Sequence, residues 1–250
     1  MIGPGPVSAV LFDYGGTLVT FRRPDAALEA AYERIVHYLR SEGWTPPGAG
    51  LLLRDVHDRV EEAFVAHQRS GALEEINLVA VARQAYADLG LVLDDATLDE
   101  TLRIEQEAWW EGVSVDPEAV PTIDGLRARG LRVGLCSNAP YRIPSMHAQL
   151  RHFRLADRLD SVTFSGQIGW RKPSPRIMEA AAAAVGSPPG EIVLVGDSVS
   201  DDVMGARAVG MRAVLLLRPG GAPPPDMDPP IVSIGSLSAI ALLLFGTPVL

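Results

Sequence analysis

Residues 7–17, VSAVLFDYGGT, contain the pattern that decides the fold. Residues 7–12 are mostly apolar and run directly into a carboxylate, Asp13, which predicts a buried strand with an acidic side chain at its carboxyl end. Gly15 and Gly16 follow, and a glycine pair predicts a sharp turn there. A strand that is apolar on both faces is typical of a parallel sheet covered by helices.

The chain after residue 121 alternates helical and extended patterns. Short apolar runs predict strands at residues 131–136, 161–164, 192–195 and 212–217. Helices are predicted at residues 140–153, 175–185 and 202–209, and a last edge strand and helix at 231–233 and 237–245, after a Pro/Gly-rich loop over 219–230. We therefore expect an α/β fold, with a Rossmann-like parallel sheet core and helices on both of its faces.

Residues 25–111 carry a different periodicity. Apolar residues recur three and four positions apart in four groups, which begin at Leu28, Leu52, Leu78 and Leu98. This pattern predicts four helices and no strand. We therefore expect a small all-helical cap domain over residues 22–114, and an α/β core domain built from residues 1–21 and 115–250.

The composition limits the classes of function. Apolar residues make up 47% of the 250 residues, which is typical of a packed globular protein. The net charge of −9 argues against nucleic-acid binding, because an acidic chain repels a phosphate backbone. The start of the chain does not resemble a signal peptide, and the longest apolar runs are too short to cross a bilayer. We expect a cytoplasmic protein with no membrane partner, of unassigned oligomeric state.

Four polar clusters follow predicted strands or precede a predicted helix. They are DYGGT at residues 13–17, SN at 137–138, RKPSP at 171–175 and GDSVSDD at 196–202. Each has an ordinary interpretation as a turn, a helix cap or a solvated charge. Because ligands of an open parallel sheet bind beyond the carboxyl ends of its strands, the four together favour one functional site.

The residue types in these clusters suit phosphate chemistry. Asp13 can serve as a nucleophile or as a metal ligand. Ser137 suits a phosphate oxygen, and Lys172, just before a helix, can neutralise an anion. The carboxylates of the fourth cluster repel one another unless a cation offsets them, and hard oxygen ligands suit Mg²⁺.

The four clusters resemble the motifs of the haloacid dehalogenase superfamily. The matching segments are FDYGGTL at residues 12–18, LCSN at 135–138, RKPSP at 171–175 and VGD at 195–197, continuing through Asp202 to Gly205 and Ala206. The resemblance covers residues 7–217 in order, spacing and context. The helical segment lies where this superfamily often carries a mobile cap. The resemblance implies a phosphatase-like hydrolase that acts on a small phosphorylated metabolite.

The resemblance also implies residue roles. Asp13 would attack phosphorus to form an aspartyl-phosphate, with Lys172 as the second catalytic residue. Mg²⁺ would be held by Asp13, the carbonyl of Gly15, Asp197, and Asp202 or its neighbour Asp201. The phosphate group would be bound by Ser137, Asn138, Thr17 and Gly16.

Gly15 departs from the superfamily pattern. Its phosphatases usually carry a second Asp at this position, which protonates the leaving group and later activates water. Three outcomes stay open: a leaving group that departs unaided, such as that of a sugar 1-phosphate or acyl phosphate; an acid supplied by the cap; or a slow or differently specialised enzyme. The candidate cap acids are Glu33, His37, His57 and His67.

Other functions are weighed against the hydrolase. Dehalogenases of this superfamily typically carry neutral residues in the fourth motif, so the cluster of Asp197, Asp201 and Asp202 argues against that activity. Phosphonate cleavage requires a cap amine, and no lysine precedes Lys172. A phosphate-binding or regulatory protein without activity stays an alternative, because Gly15 removes the usual acid/base group.

Overall fold

The computed structural model describes residues 5–217, 221 and 230–246. Two sequence predictions fall mainly or wholly on the other residues. They are the Pro/Gly-rich loop over 219–230 and the interpretation of the start of the chain, of which residues 1–4 lie outside the described ranges.

The described strands form one large and one small sheet. They are β1 (Ala9–Phe12), β2 (Val19–Phe21), β3 (Val113–Val115), β4 (Arg132–Ser137), β5 (Ser161–Phe164), β6 (Ile192–Gly196), β7 (Arg212–Leu216) and β8 (Val232–Ile234). Six of them form a sheet in the order β5-β4-β1-β6-β7-β8, in which every neighbouring pair is parallel. β2 and β3 form a separate two-stranded sheet.

The helices occur between these strands and in the long segment that follows β2. They are α1 (Asp25–Ser41), α2 (Ala49–Leu52), α3 (Arg59–Ser70), α4 (Leu78–Asp88), α5 (Asp95–Ala108), α6 (Ala119–Ala128), α7 (Ile143–His152), α8 (Ser165–Ile168), α9 (Pro175–Val185), α10 (Gly205–Ala208) and α11 (Ala239–Phe245). A π-helical segment, Leu53–Asp58, joins α2 to α3, and another, Val199–Met204, leads into α10. The predicted α/β fold is confirmed.

Strand β1 occupies the centre of the large sheet. It pairs with β4 on one side and β6 on the other, and Phe12 lies level with both Leu135 and Val195. The chain runs outward from β1 through β4 to β5 and then returns to β6. This reversal of strand order opens a crevice at the carboxyl ends of the three central strands, where open α/β sheets bind ligands.

Both faces of β1 are buried. Leu11 packs in a cluster with Ile177 and Met178 of α9 and with Leu194 of β6. Val10, which alternation directs to the opposite face, is 0% exposed. The apolar run that opens the sequence therefore reflects burial on two sides.

The described chain forms two compact units. One, the α/β unit, comprises the described residues of Met1–Phe21, Ser114–Ala139 and Leu150–Leu250. The other, the helical unit, comprises Arg22–Val113 and Pro140–Gln149, so the segment 140–149 groups with the helices although we assigned it to the core domain. That the two units are separate domains stays a prediction. Within the described ranges, no helix combines the length and hydrophobicity needed to cross a membrane.

A buried polar network lies in the core of the helical unit. His57 is 0% exposed, and its Nδ1 lies 2.7 Å from Oε1 of Glu105. The hydroxyl of Tyr32 donates to Oε2 of the same carboxylate at 2.9 Å. Burial lowers the pKa of His57, but the hydrogen bond and charge of Glu105 raise it, and the net shift is upward from 6.5.

Two strands were missed by the sequence analysis. β2 and β3 have three residues each, and two of the three in β2 are exposed, so neither leaves a periodic apolar signal. The helix predicted over 202–209 was also placed too late, because the chain already coils at Val199 in a π-helical turn. In contrast, the bounds of β5 and α9 coincide with the predicted ones.

We expect Gly134→Ala to destabilise the protein by about 1–3 kcal/mol, because a Cβ added in β4 would overlap Oγ of Ser161 and lie 2.8 Å from Cδ2 of the buried Leu11. Gly190→Ala is the matched control, since a Cβ there meets open space. Urea unfolding of both variants measures the difference. Equal midpoints for the two would contradict this account of the β4 packing.

We expect the free energy of unfolding to fall as the pH rises above about 6.5, because the folded-state pKa of His57 is raised. The ion pair with Glu105 contributes fully below the unfolded-state pKa and is lost as the pH passes the folded-state value. Glu105→Gln should remove this dependence, whereas His37→Gln, at an exposed site on α1, should keep it. Urea titrations at pH 6, 7 and 8 test it; a flat wild-type profile would refute it.

Candidate active site

The loop after β1 is folded tightly around one carbonyl. The backbone N–H of Asp13 donates to the carbonyl of Val195 at 2.9 Å, which fixes Asp13 at the end of the central strands. The carbonyl of Tyr14 then accepts the N–H groups of Thr17, Leu18 and Val19 at 3.3, 2.9 and 3.0 Å. The chain therefore turns tightly directly after the strand, and Asp13 is only 7% exposed.

One ammonium group bridges two buried carboxylates. Nζ of Lys172 lies 2.7 Å from Oδ1 of Asp13 and 2.6 Å from Oδ1 of Asp202. Lys172 is 2% exposed, and of the 22 lysine and arginine residues in the sequence it is the only lysine. A compact ammonium suits a position between two carboxylate oxygens better than the planar fork of an arginine.

Burial and neighbouring charges shift the pKa values of Lys172 and Asp202. Burial alone would lower the pKa of Lys172, but the carboxylates of Asp13 and Asp202 outweigh it and raise that pKa above its usual value. For Asp202, burial is the largest effect, and it raises the pKa of this carboxyl although Lys172 opposes the shift. Lys172 is therefore held as a cation.

The side chain of Asn138 holds the backbone of Lys172 in place. Its Oδ1 accepts the Lys172 N–H at 2.7 Å, and its Nδ2 donates to the Lys172 carbonyl at 3.3 Å. Two residues later, the hydroxyl of Ser174 caps α9 by accepting the N–H of Arg176. The position of the ammonium is thus fixed from the end of β4 and from the start of α9. We expected the Asn138 backbone to bind phosphate, and that role stays a prediction.

Ser137 lies directly on the nucleophile candidate. It is 4% exposed, and its hydroxyl donates to Oδ1 of Asp13 at 2.9 Å. Oδ1 therefore accepts from both Ser137 and Lys172. The structure brings together Asp13, Ser137, Lys172 and Asp202, which were predicted from four separate clusters.

Three carboxylates meet at this point. Asp13, Asp197 and Asp202 each offer one oxygen, and these oxygens all lie within 4.8 Å of one another. Asp197 is exposed, whereas the other two are buried. Asp201 is not a member of this group. Its Oδ2 accepts from Nδ2 of Asn138 at 3.2 Å and lies 3.7 Å from the Arg171 guanidinium.

Two glycines make room for the carboxylates. Gly16 has a φ of +80°, and a Cβ there would overlap the carboxylate of Asp197. A Cβ on Gly196 would overlap the side chain of Asp202. From the sequence, Gly16 was expected to bind phosphate, and Gly196 was given no role. The available signal for Gly196 was a glycine at the end of a strand pattern, just before an acidic cluster.

The other residues predicted from the sequence lie in the loop after β1 or in the helical unit. Thr17 is fully buried in the loop, and Gly15 forms an isolated bridge with Val19. In the helical unit Glu33 and His37 are exposed, His57 is buried beside Glu105, and Nε2 of His67 lies 3.7 Å from Glu75.

Ser198 is a site residue that the sequence analysis missed. Its backbone N–H donates to Oδ2 of Asp202 at 3.0 Å, and its hydroxyl accepts the N–H of Asp201 at 3.1 Å. The second bond is the helix-capping pattern of a serine followed three residues later by an acid, which was readable in the sequence. Ser198 thereby holds Asp202 toward Lys172.

Comparison with known proteins agrees with this arrangement. A family model described as haloacid dehalogenase-like hydrolase matches residues 7–210. Phosphatase MT3486 from Mycobacterium tuberculosis is 30% identical over 243 residues, which cover 94% of this chain and 96% of that protein.

Solved structures share the fold over nearly the whole chain. The HAD phosphatase from Thermococcus onnurineus is 25% identical, with a TM-score of 0.64, over 96% of this chain and 99% of that chain. The 2-haloacid dehalogenase from Pseudomonas syringae pv. Tomato DC3000 is 22% identical, with a TM-score of 0.65, over 95% of this chain and 98% of that chain. The second likeness shows a common fold alone.

We expect Lys172→Met to cost about 3–5 kcal/mol of stability, because it leaves two buried carboxylates without their shared cation. Adding Asp202→Asn should recover part of this loss, since an amide carries no charge. Arg83→Met, which breaks a pair with Asp95 whose side chains are 43% and 94% exposed, is the control and should cost less than about 1 kcal/mol. Urea unfolding measures all four proteins. A loss no larger than the control's would contradict the bridging role.

Proposed function

The chain belongs to the haloacid dehalogenase-like hydrolases, and from this premise we propose that it is a Mg²⁺-dependent phosphatase of small metabolites. The named relatives that are phosphatases support the reaction class. We keep the cytoplasmic location as a prediction. The observation that carries the proposal is the Lys172 ammonium, which lies between Asp13 and Asp202 while Ser137 donates to the same Asp13 oxygen.

The donor set fits a magnesium ion. Three carboxylates offer oxygens within 4.8 Å of one another, and the ammonium of Lys172 is hydrogen-bonded to two of them. Three negative charges beside one positive charge still repel one another, and a bound metal cation would offset that repulsion. Mg²⁺ takes oxygen ligands, usually few carboxylates together with water. We propose Asp13, Asp197, Asp202 and the carbonyl of Gly15 as the residues that hold it. When bound, it would supply positive charge beside the phosphoryl oxygens.

Asp13 is the proposed nucleophile. One of its carboxylate oxygens attacks phosphorus, and the bond from phosphorus to the leaving oxygen breaks, with the electron pair going to that oxygen. Water then attacks the aspartyl-phosphate at phosphorus, the bond to Asp13 breaks, and inorganic phosphate leaves with the carboxylate regenerated. Before the attack, Ser137 and Lys172 fix the orientation of Asp13 through Oδ1.

The acidic cluster disfavours the dehalogenase alternative. Asp197 and Asp202 lie beside Asp13, where they add negative charge that a halide leaving group does not need. The structural likeness to a dehalogenase is at 22% identity and carries no activity.

We expect the wild-type protein to hydrolyse 4-nitrophenyl phosphate in Mg²⁺ and to lose this activity in excess chelator. Asp13→Asn should lower kcat by at least about 10³-fold, because the nucleophile is lost. Asp197→Asn should raise the Mg²⁺ concentration needed for half activity. Asp201→Asn is the matched control outside the carboxylate group. Phosphate release measures each rate, and full activity in Asp13→Asn or in chelator would overturn the proposal.

A further inference from the structure

The space over Gly15 is covered by an aromatic ring. A Cβ added to Gly15 would lie 3.1 Å from Cε2 and 3.5 Å from Cδ2 of Phe21. The 3.1 Å contact is tighter than ordinary van der Waals packing, so the ring would have to shift by a few tenths of an ångström, whereas 3.5 Å is an ordinary contact. A side chain at residue 15, two positions after the proposed nucleophile Asp13, would therefore have to push the Phe21 ring aside.

The ring is held there by the fold of the loop. Three N–H groups converge on the Tyr14 carbonyl and turn the chain back, so that β2 carries Phe21 past Gly15. The rings of Phe21 and Tyr14 meet edge to face, with centroids 5.9 Å apart and planes at 73°. Tyr14 is 2% exposed and Phe21 is 46% exposed. An apolar surface is thus presented to solvent beside a highly charged site, resting on a buried ring.

The two glycines of this loop offer no side-chain proton donor to a departing oxygen. Gly15 and Gly16 have no side chain. Nζ of Lys172 is hydrogen-bonded to the carboxylates of Asp13 and Asp202. The half-exposed Phe21 ring thus packs against the position that a Cβ on residue 15 would take.

We propose that Phe21 is a specificity-determining residue: its ring excludes a general acid from the space over Gly15 and restricts the enzyme to phosphate compounds whose leaving group departs unprotonated. Acyl phosphates, aryl phosphates and anomeric sugar phosphates belong to this class. The inference rests on the proposed function. In the step concerned, Asp13 forms its bond to phosphorus, the phosphorus–oxygen bond breaks, and the leaving oxygen departs as an anion that takes a proton from water afterwards.

The test is a comparison of aryl phosphates whose phenols range in acidity from dinitrophenol to phenol. For the wild type, kcat/KM should fall steeply as the phenol becomes less acidic. Gly15→Asp and Phe21→Ala should each leave this slope steep, whereas the double variant should flatten it. General acid catalysis is worth about 10²–10⁴-fold, so phenyl phosphate should gain about that much in the double variant. Gly15→Asn with Phe21→Ala is the control, because an amide fills the space but donates no acidic proton.

A second measurement leaves residue 15 unchanged. Phe21→Ala opens the space to small buffer acids, so added imidazolium should accelerate its hydrolysis of phenyl phosphate and leave the wild type unaffected. Phe21→Leu, which keeps an apolar side chain, should resist this rescue. Circular dichroism and thermal melts report folding separately, and a purely structural role for Phe21 would change the melting temperature without producing rescue by imidazolium.

Several results would overturn the proposal. One is a shallow wild-type slope, since another group would then protonate the leaving oxygen. Others are a flat slope in Gly15→Asp alone, since the ring would not be a barrier, and equal buffer rescue in wild type and Phe21→Ala. The absence of turnover for every ester, dinitrophenyl phosphate included, would instead remove the proposed function itself.

Discussion

A buried ammonium between two carboxylates is the constraint on which the rest of the site depends. Moving charges out of water costs several kcal/mol per ion unless each is paired and hydrogen-bonded. Much of the surrounding structure meets that requirement. Asn138 holds the Lys172 backbone, Ser198 holds Asp202, and Ser137 donates to Asp13. These groups come from three strand ends and one helix start, so the site assembles only when the sheet is complete.

The sheet topology explains why residues distant in the chain converge. β1 lies between β4 and β6, and all three strands run in the same direction. Their carboxyl ends therefore deliver Asp13, Ser137 and Asp197 to one edge. Close approach then requires glycine where carboxylates lie against the backbone, as at Gly16 and Gly196. The identity of a glycine here is as decisive as that of an acid.

The sequence predicted most of this arrangement, because buried strands and helix caps leave strong local patterns. Asp13, Ser137, Lys172 and Asp202 were identified from their places after strands or before a helix. The features that were missed depend on tertiary contacts. β2 is too short to show a hydrophobic periodicity. The local sequence around Phe21 also does not indicate that its ring packs against Gly15. Likewise, the choice between Asp201 and Asp202 depended on how a π-helical turn directs two adjacent side chains.

The single lysine gives the molecule an unusual chemical property. Since Lys172 is 2% exposed, the folded protein presents almost no side-chain amine to acylating reagents or to amine-modifying enzymes, whereas the unfolded chain presents one. Labelling that is detected at Lys172 itself thus reports unfolding, because no other lysine side chain contributes. By the same reasoning, isotopically labelled lysine would place one nuclear magnetic resonance probe in the protein, between the two carboxylates, where its signal would report the electrostatics of the site directly.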